Sequence, residues 1–210
     1  MSAQARRETI ELAATEVFAE RGYHGASIEE IARRSGISVP IVYDHFHSKE
    51  DLHRRLLERH FAELREIWQA HLPGEEPQER RIARAFDAWF HYVQTHPYAW
   101  RMLFKDTTGQ PQIEAMHREV AAHSRQAILP LLLHEPGAEH ISEATGDALE
   151  MAWEVLRGVL QGLAQWWYDH QQIPREQVVA TAMNAIWVGF ERVSNGEVWL
   201  PQTPSDELAP

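Results

Sequence analysis

The segment GISVPIVYDHFHSKEDL, residues 36–52, carries two helix starts in quick succession. Ser38 stands where a side-chain oxygen can cap a short helix, and Pro40 in the first turn forfeits nothing, because those N–H groups have no intrahelical partner. Ser48 followed by Asp51 has the spacing of a capping box and launches a longer helix through about Leu72. The short helix between them, about Ser38 to His45, leads with Val39, Pro40 and Ile41, none of which has a side-chain hydrogen-bond donor. Upstream, Gly36 suits the left-handed position that ends a helix, and Ser27 with Glu30 forms the capping box that opens that helix. Further upstream, Ile10, Ala13, Ala14, Val17 and Phe18 make one apolar stripe at helical spacing, ended by Gly22. Three short helices with glycine turns form a helix-turn-helix unit, in which the later helix enters the major groove of DNA.

The net charge of −11 runs against a nucleic-acid partner until it is divided along the chain. Residues 1–55 hold 8 Lys/Arg and 9 Asp/Glu and are near neutral, while residues 56–210 hold 12 and 22. The N-terminal segment is therefore where a polyanion can land. With no cysteine in 210 residues, disulfide frameworks and thiolate metal sites are excluded. No apolar run reaches membrane-spanning length and no secretion signal opens the chain, so the expectation is a cytoplasmic protein with no membrane partner.

Residues 8–55, IELAATEVFAERGYHGASIEEIARRSGISVPIVYDHFHSKEDL and its flanks, resemble the DNA-binding domain of TetR-family transcriptional repressors almost position for position. From residue 56 onward only the general plan of that family is shared. The resemblance implies an all-α protein, in which an N-terminal three-helix DNA-binding domain (1–55) is joined by a long helix to a helical ligand-binding and dimerisation domain (56–200), with a loose tail at 201–210. It implies that Tyr43 and Lys49 meet DNA phosphates, roles to which a phenol and an ammonium are suited. His45, Arg33 and Arg34 are further phosphate partners, and Ser27 and Ser38 offer hydroxyls and helix N-terminal amides. Val39, Pro40 and Ile41 can touch thymine methyl groups, whereas Ile37, Val42 and Phe46 hold the helix in place. Asp44 departs from the larger or donor side chains common there in the family; it can accept from cytosine N4.

Beyond the turn LPGEEPQ at 72–78, helical patterns cover about 77–96, 97–106, 110–134, 141–171 and 174–195. The chain has eight tryptophans, and an aromatic cluster gathers around residues 86–104. The pattern predicts an aromatic-rich pocket lined by Trp89, Phe90, Val93, Trp100, Phe104, Met116, Val120, His123, Trp153 and Leu156, taking a small apolar or aromatic effector. Arg125 is the local cation that could admit an anionic one. The helices at 141–171 and 174–195 are apolar on more than one face. One monomer cannot cover both, which predicts a homodimer through Val155, Val159, Gly162, Trp166, Val179, Met183, Ile186 and Phe190.

Thirteen histidines raise the question of metal, but no spacing among them builds a site and no nucleophile–base pair stands out. The chain reads as neither an enzyme nor a cofactor protein. The expected function is a ligand-responsive DNA-binding regulator, by resemblance a repressor, that binds a palindromic operator as a homodimer. The competing readings are a helical small-molecule-binding or enzymatic protein without DNA function, and a regulator controlled by a protein partner.

Overall fold

In the computed structural model the described residues are 2–104, 111–133 and 146–194. Among them every regular element is a helix, and none is long and apolar enough to cross a membrane. The order is α1 (Ala3–Gly25), α2 (Ile28–Ser35), α3 (Val39–His45), α4 (Lys49–His71), α5 (Gln78–Thr95), α6 (Pro97–Phe104), α7 (Pro111–Leu133), α8 (Gly146–Tyr168) and α9 (Arg175–Ser194). The 201–210 tail expected from composition lies outside the described residues.

The caps explain the breaks in the head. Ser27 Oγ accepts from the Glu30 N–H (3.2 Å), and Ser48 Oγ from the Asp51 N–H (3.0 Å). Gly36 adopts φ 67°, which lets its own N–H and that of Ile37 close onto the last carbonyls of α2. Three local expectations need correction. The Glu30 carboxylate does not reach back to complete its capping box; it is taken by Arg33 and Arg34. Ser38 precedes α3 without a side-chain cap bond, so its exposed hydroxyl is free for another partner. Gly22 (φ 66°) kinks α1 rather than ending it, and the helical turn resumes through Gly25.

One continuous hydrophobic core runs from Ile10 in α1 to Ala182 in α9. Within it, α1 packs on α2, α4 and α6, and α4 packs in turn on α5 and α7. The head is therefore not an independent bead on a linker, because α4 and α6 belong to the body yet carry α1.

A polar connection reinforces that seam. Glu11 is only 5% exposed, and its carboxylate accepts from Arg55 and Arg59 of α4, each at 2.8 Å. One turn along, Thr15 Oγ1 lies 3.4 Å from His60 Nε2, while His60 Nδ1 faces both Glu63 (3.0 Å) and the Tyr92 hydroxyl (2.9 Å). Tyr92 also donates to Glu63 at 2.9 Å. Burial alone would raise the Glu63 pKa, but hydrogen bonds from His60, Arg59 and Tyr92 outweigh it and hold the carboxyl at about 2. The chain of contacts joins α1, α4 and α5.

Glu11→Ala leaves Arg55 and Arg59 without their buried acceptor. Because both guanidiniums are half-exposed, the expected loss is about 1–2 kcal/mol rather than the full cost of a broken buried pair. Thermal unfolding checks this, and a melting temperature equal to wild type would contradict the role given to Glu11.

Candidate functional site

Two regions could carry function: the exposed face of the head, and a cavity in the body. On the head, α3 is anchored by Val42 and Phe46, both essentially fully buried, with Ile37 buried at its N-terminal side. That leaves Ser38, Pro40, Tyr43 and Asp44 exposed on one helix, with Tyr43 49% exposed although aromatic. Val39 and Ile41 are half-buried against the core, so each offers only part of its surface, and His45 is half-buried beside Phe46. An exposed phenol, hydroxyl and proline on a helix that is held rigidly from behind is a surface built for contact.

The cations expected to meet phosphate are placed otherwise. The Lys49 ammonium donates to the backbone carbonyls of Tyr23 (2.8 Å) and Ala26 (3.0 Å), and sits 4.4 Å from the centre of the Tyr23 ring. It clips the end of α1 to the start of α4, and partial burial lowers its pKa. Arg34 is held by Glu20 at 2.5 Å and by Glu30 at 3.1 Å, and Arg33 bonds Glu30 at 2.9 and 2.8 Å. These hydrogen bonds pull the Glu30 carboxyl down to about 2 and raise the pKa of both arginines. Only Arg33 remains largely exposed. For Lys49 and in part for Arg34 the acceptors are nonlocal and invisible in the sequence pattern, whereas Glu30 meets both arginines at the spacing of one helical turn.

The cavity has a volume of about 720 Å³ and lies between α4, α5, α6, α7 and α8. Trp89, Phe104, Trp153 and Leu156 line it as expected from the aromatic pattern. Phe90, Val93, Trp100, Met116 and Val120 are instead buried in packing, Phe90 edge-on to Trp167 and Trp100 stacked on Tyr168. His123 points to solvent, and His117 lines the wall in its place. Sequence reading missed the whole α4 wall of Phe61, Leu64, Arg65 and Trp68, because that helix was read as a linker. Its apolar spacing at 57, 61, 64 and 68 was the available signal.

The stripe Glu150, Glu154, Arg157 and Gln161 of α8, which has the composition of a solvated face, borders the cavity. There Arg125 pairs with Glu150, and Arg157 pairs with Glu154. Arg65, also on the wall, has no ion-pair partner among the described residues. An apolar interior with a charged margin can hold a mainly apolar molecule and solvate a polar end.

Between the cavity and the head lie two buried imidazoles. His53 of α4 is 2% exposed, edge-on to Phe18 (4.7 Å between ring centres) and Tyr23 (5.1 Å), and 5.4 Å from His117. Burial, with smaller contributions from the neighbouring His117 and Lys49, drives the His53 pKa down to about 3.

On the opposite side, the described parts of α8 and α9 expose Met151, Val155, Trp166 and Val188. Val159, Val179, Met183 and Ile186 are half-buried, and an added Cβ at Gly158 or Gly162 would meet nothing. The Phe190 side chain lies outside the described residues.

Comparison with known proteins settles the family. The description "Bacterial regulatory proteins, tetR family" matches residues 11–56, and "Tetracyclin repressor-like, C-terminal domain" matches residues 78–189. The chain belongs to the tetR family. It is 28% identical over 190 residues, 90% of its length and 84% of the relative's, to the HTH-type transcriptional activator FasR of Mycolicibacterium smegmatis. It shares its fold with a TetR-like regulator from Rhodococcus sp. RHA1 (TM-score 0.71, 22% identity, 89% of this chain and 96% of that one). The same holds for FadR of Bacillus subtilis, solved with stearoyl-CoA (TM-score 0.70, 18% identity, 90% and 98%). This protein is a DNA-binding transcriptional regulator.

Neutral, buried His53 also makes stability depend on pH. In the unfolded chain a histidine protonates near pH 6.5, whereas in the folded protein His53 stays neutral down to about 3. Its folded pKa is depressed, so the stability is fully present above about 6.5 and is lost as pH falls toward 3. Between about pH 7 and pH 5 the loss is roughly 2 kcal/mol, and His53→Leu removes that part of the slope. Urea midpoints at the two pH values decide it: equal losses in wild type and His53→Leu would contradict the assignment.

Proposed function

We propose that this regulator binds a palindromic operator as a homodimer and is controlled by a mainly apolar effector of the fatty-acyl class held in the body cavity. The cavity carries this reading. Phe61, Leu64, Trp68, Trp89, Leu103, Phe104, Trp153 and Leu156 form an apolar interior beside the paired charges of α7 and α8. Its volume is within the range that encloses small organic ligands, and an acyl chain with a polar end matches both kinds of lining. The shared fold with a protein that binds stearoyl-CoA supports the same choice. Because α4 and α6 both line the cavity and both pack on α1, a molecule seated there bears on helices that carry the head. An effector shifts DNA affinity only if it binds the two head positions differently.

In the proposed complex α3 lies in the major groove, with Pro40 and the accessible parts of Val39 and Ile41 on bases and Asp44 toward a cytosine N4–H. Tyr43, Ser38, His45 and exposed Arg33 take phosphates, and the helix N-termini behind Ser27 and Ser38 add backbone amides. Lys49 and Arg34 position these groups from behind. No chemical step is needed for this work, which takes place where the chromosome lies, in the cytoplasm. Repression, the sign first expected, is part of the proposal, although the relative FasR is an activator. Transcription from the operator-bearing promoter with and without the protein decides between the two.

Dimerisation through α8 and α9 has a test that monomer stability does not confound. Val155 is 63% exposed in the single chain, so Val155→Glu costs the monomer little. Across a two-fold interface it would bury an unpaired charge. Sedimentation should show monomer with an unchanged far-UV spectrum, and operator affinity should fall at least tenfold. A dimer that still binds operator would remove this face as the interface.

For the effector, stearoyl-CoA titrated into the protein should shift tryptophan emission, since Trp68, Trp89 and Trp153 line the cavity. It should also change operator affinity by fluorescence anisotropy. An unaltered emission spectrum and unaltered DNA binding would defeat the acyl reading.

A further inference from the structure

Among the described residues, two imidazoles between cavity and head are buried in an unusual way. His117 is 7% exposed and His53 2%. Yet among the described residues His53 Nδ1 has no hydrogen-bond partner and the His117 ring makes no well-formed one. A weak hydrogen bond to the Leu103 backbone favours the protonated form of His117, against the larger effect of burial, which lowers its pKa. A buried polar atom without a partner costs on the order of 1–3 kcal/mol, so poorly satisfied nitrogens in two adjacent rings call for a reason. Packing does not provide one, since a leucine or phenylalanine would fill the same space without the penalty.

Position provides it. His117 lines the cavity. Its ring lies 5.4 Å from His53, which meets Tyr23 at 5.1 Å, and Tyr23 is the ring under the Lys49 ammonium. Lys49 in turn bonds the Tyr23 and Ala26 carbonyls, directly before Ser27 and α2. The contacts form an unbroken line from cavity wall to head, and the poorly satisfied His117 ring stands at its cavity end.

We propose that the effector docks an oxygen of its polar end on His117, and that the His117–His53–Tyr23 ring contacts carry this occupancy to the Lys49 clip on the head. A neutral imidazole keeps one N–H, which can donate to a carbonyl oxygen at the head of an apolar chain. Making that bond gives His117 a stronger partner than any among the described residues and reorients a ring packed directly on His53. His53, 2% exposed and packed on that ring, cannot ignore the change. The proposal rests on the cavity being the effector site and adds which atom is recognised and how the head is told.

The probe is methyl dodecanoate, an apolar chain whose polar group is an ester that accepts but carries no charge. Tryptophan emission reads binding, and anisotropy on an operator recovered by in vitro selection reads the response. In wild type the ester should bind, alter operator affinity, and shift the ¹⁵N resonances of the His117 ring. His117→Leu should weaken ester binding roughly five- to tenfold, the size expected for one lost hydrogen bond. His117→Gln, which can still donate, should recover most of it. His53→Leu and, separately, Tyr23→Leu should bind the ester within twofold of wild type and bind operator, yet lose the response of one to the other. Either of the two suffices if the other fails to fold. Wild-type ester affinity in His117→Leu, or an intact response in folded His53→Leu or Tyr23→Leu, overturns the proposal. If wild type binds stearoyl-CoA but not the ester, the cavity reading stands and this one falls. If it binds neither, both fall together.

Discussion

A carboxylate at 5% exposure has to be paired, and Glu11 is paired across the seam between head and body. Its partners, Arg55 and Arg59, rise from the same α4 whose other face walls the cavity through Phe61, Leu64, Arg65 and Trp68. This interaction prevents α1 from rotating freely on α4, and the orientation of α2 and α3 follows from α1. On the other side of the seam Lys49 performs the complementary task, holding the carbonyls at the end of α1. A head gripped at two points by one helix is positioned by whatever positions that helix.

The same arrangement accounts for the charge economy of the head. Arg34 and Lys49 are directed to Glu20, Glu30 and backbone carbonyls rather than to solvent, while Arg33 bonds Glu30 and stays exposed. Such pairs hold the three short helices in a fixed mutual geometry, and the groups left for DNA are mainly neutral donors and helix termini around α3. This suits a protein of strong net negative charge, in which a loosely held cation on the head would do less than a donor set held in register.

How far the sequence was legible depended on the range of the interactions involved. Local chemistry read through: Ser27, Gly36, Ser48 and Pro40 mark helix ends because caps act over three or four residues. The head's long, regularly spaced pattern also carried the family. What failed was nonlocal. The acceptors of Lys49 lie more than twenty residues upstream in sequence, and no periodicity announces them. For α7, the choice between His117 and His123 depends on which side of the helix faces α4, and six residues of separation leave both possible. The aromatic cluster did mark the region of the cavity. It could not distinguish Trp153, which lines the space, from Trp167, which fills the core, because both are apolar positions on one helix. Long α4 was misread as a simple connector for the same reason: its second apolar face has meaning only once α7 and α8 are in place.

The central claim is that the cavity and the head move as one mechanical unit through α4 and α6. The chain has no cysteine, so a single cysteine placed at exposed Glu29 of α2 can be spin-labelled cleanly. The distance between the two labels of the proposed dimer, measured by pulsed electron resonance, reports head separation directly. Saturating stearoyl-CoA should move that distribution to a new maximum, and operator DNA should restore the original one. An effector that changes DNA affinity while leaving the label-to-label distribution where it was would contradict the account.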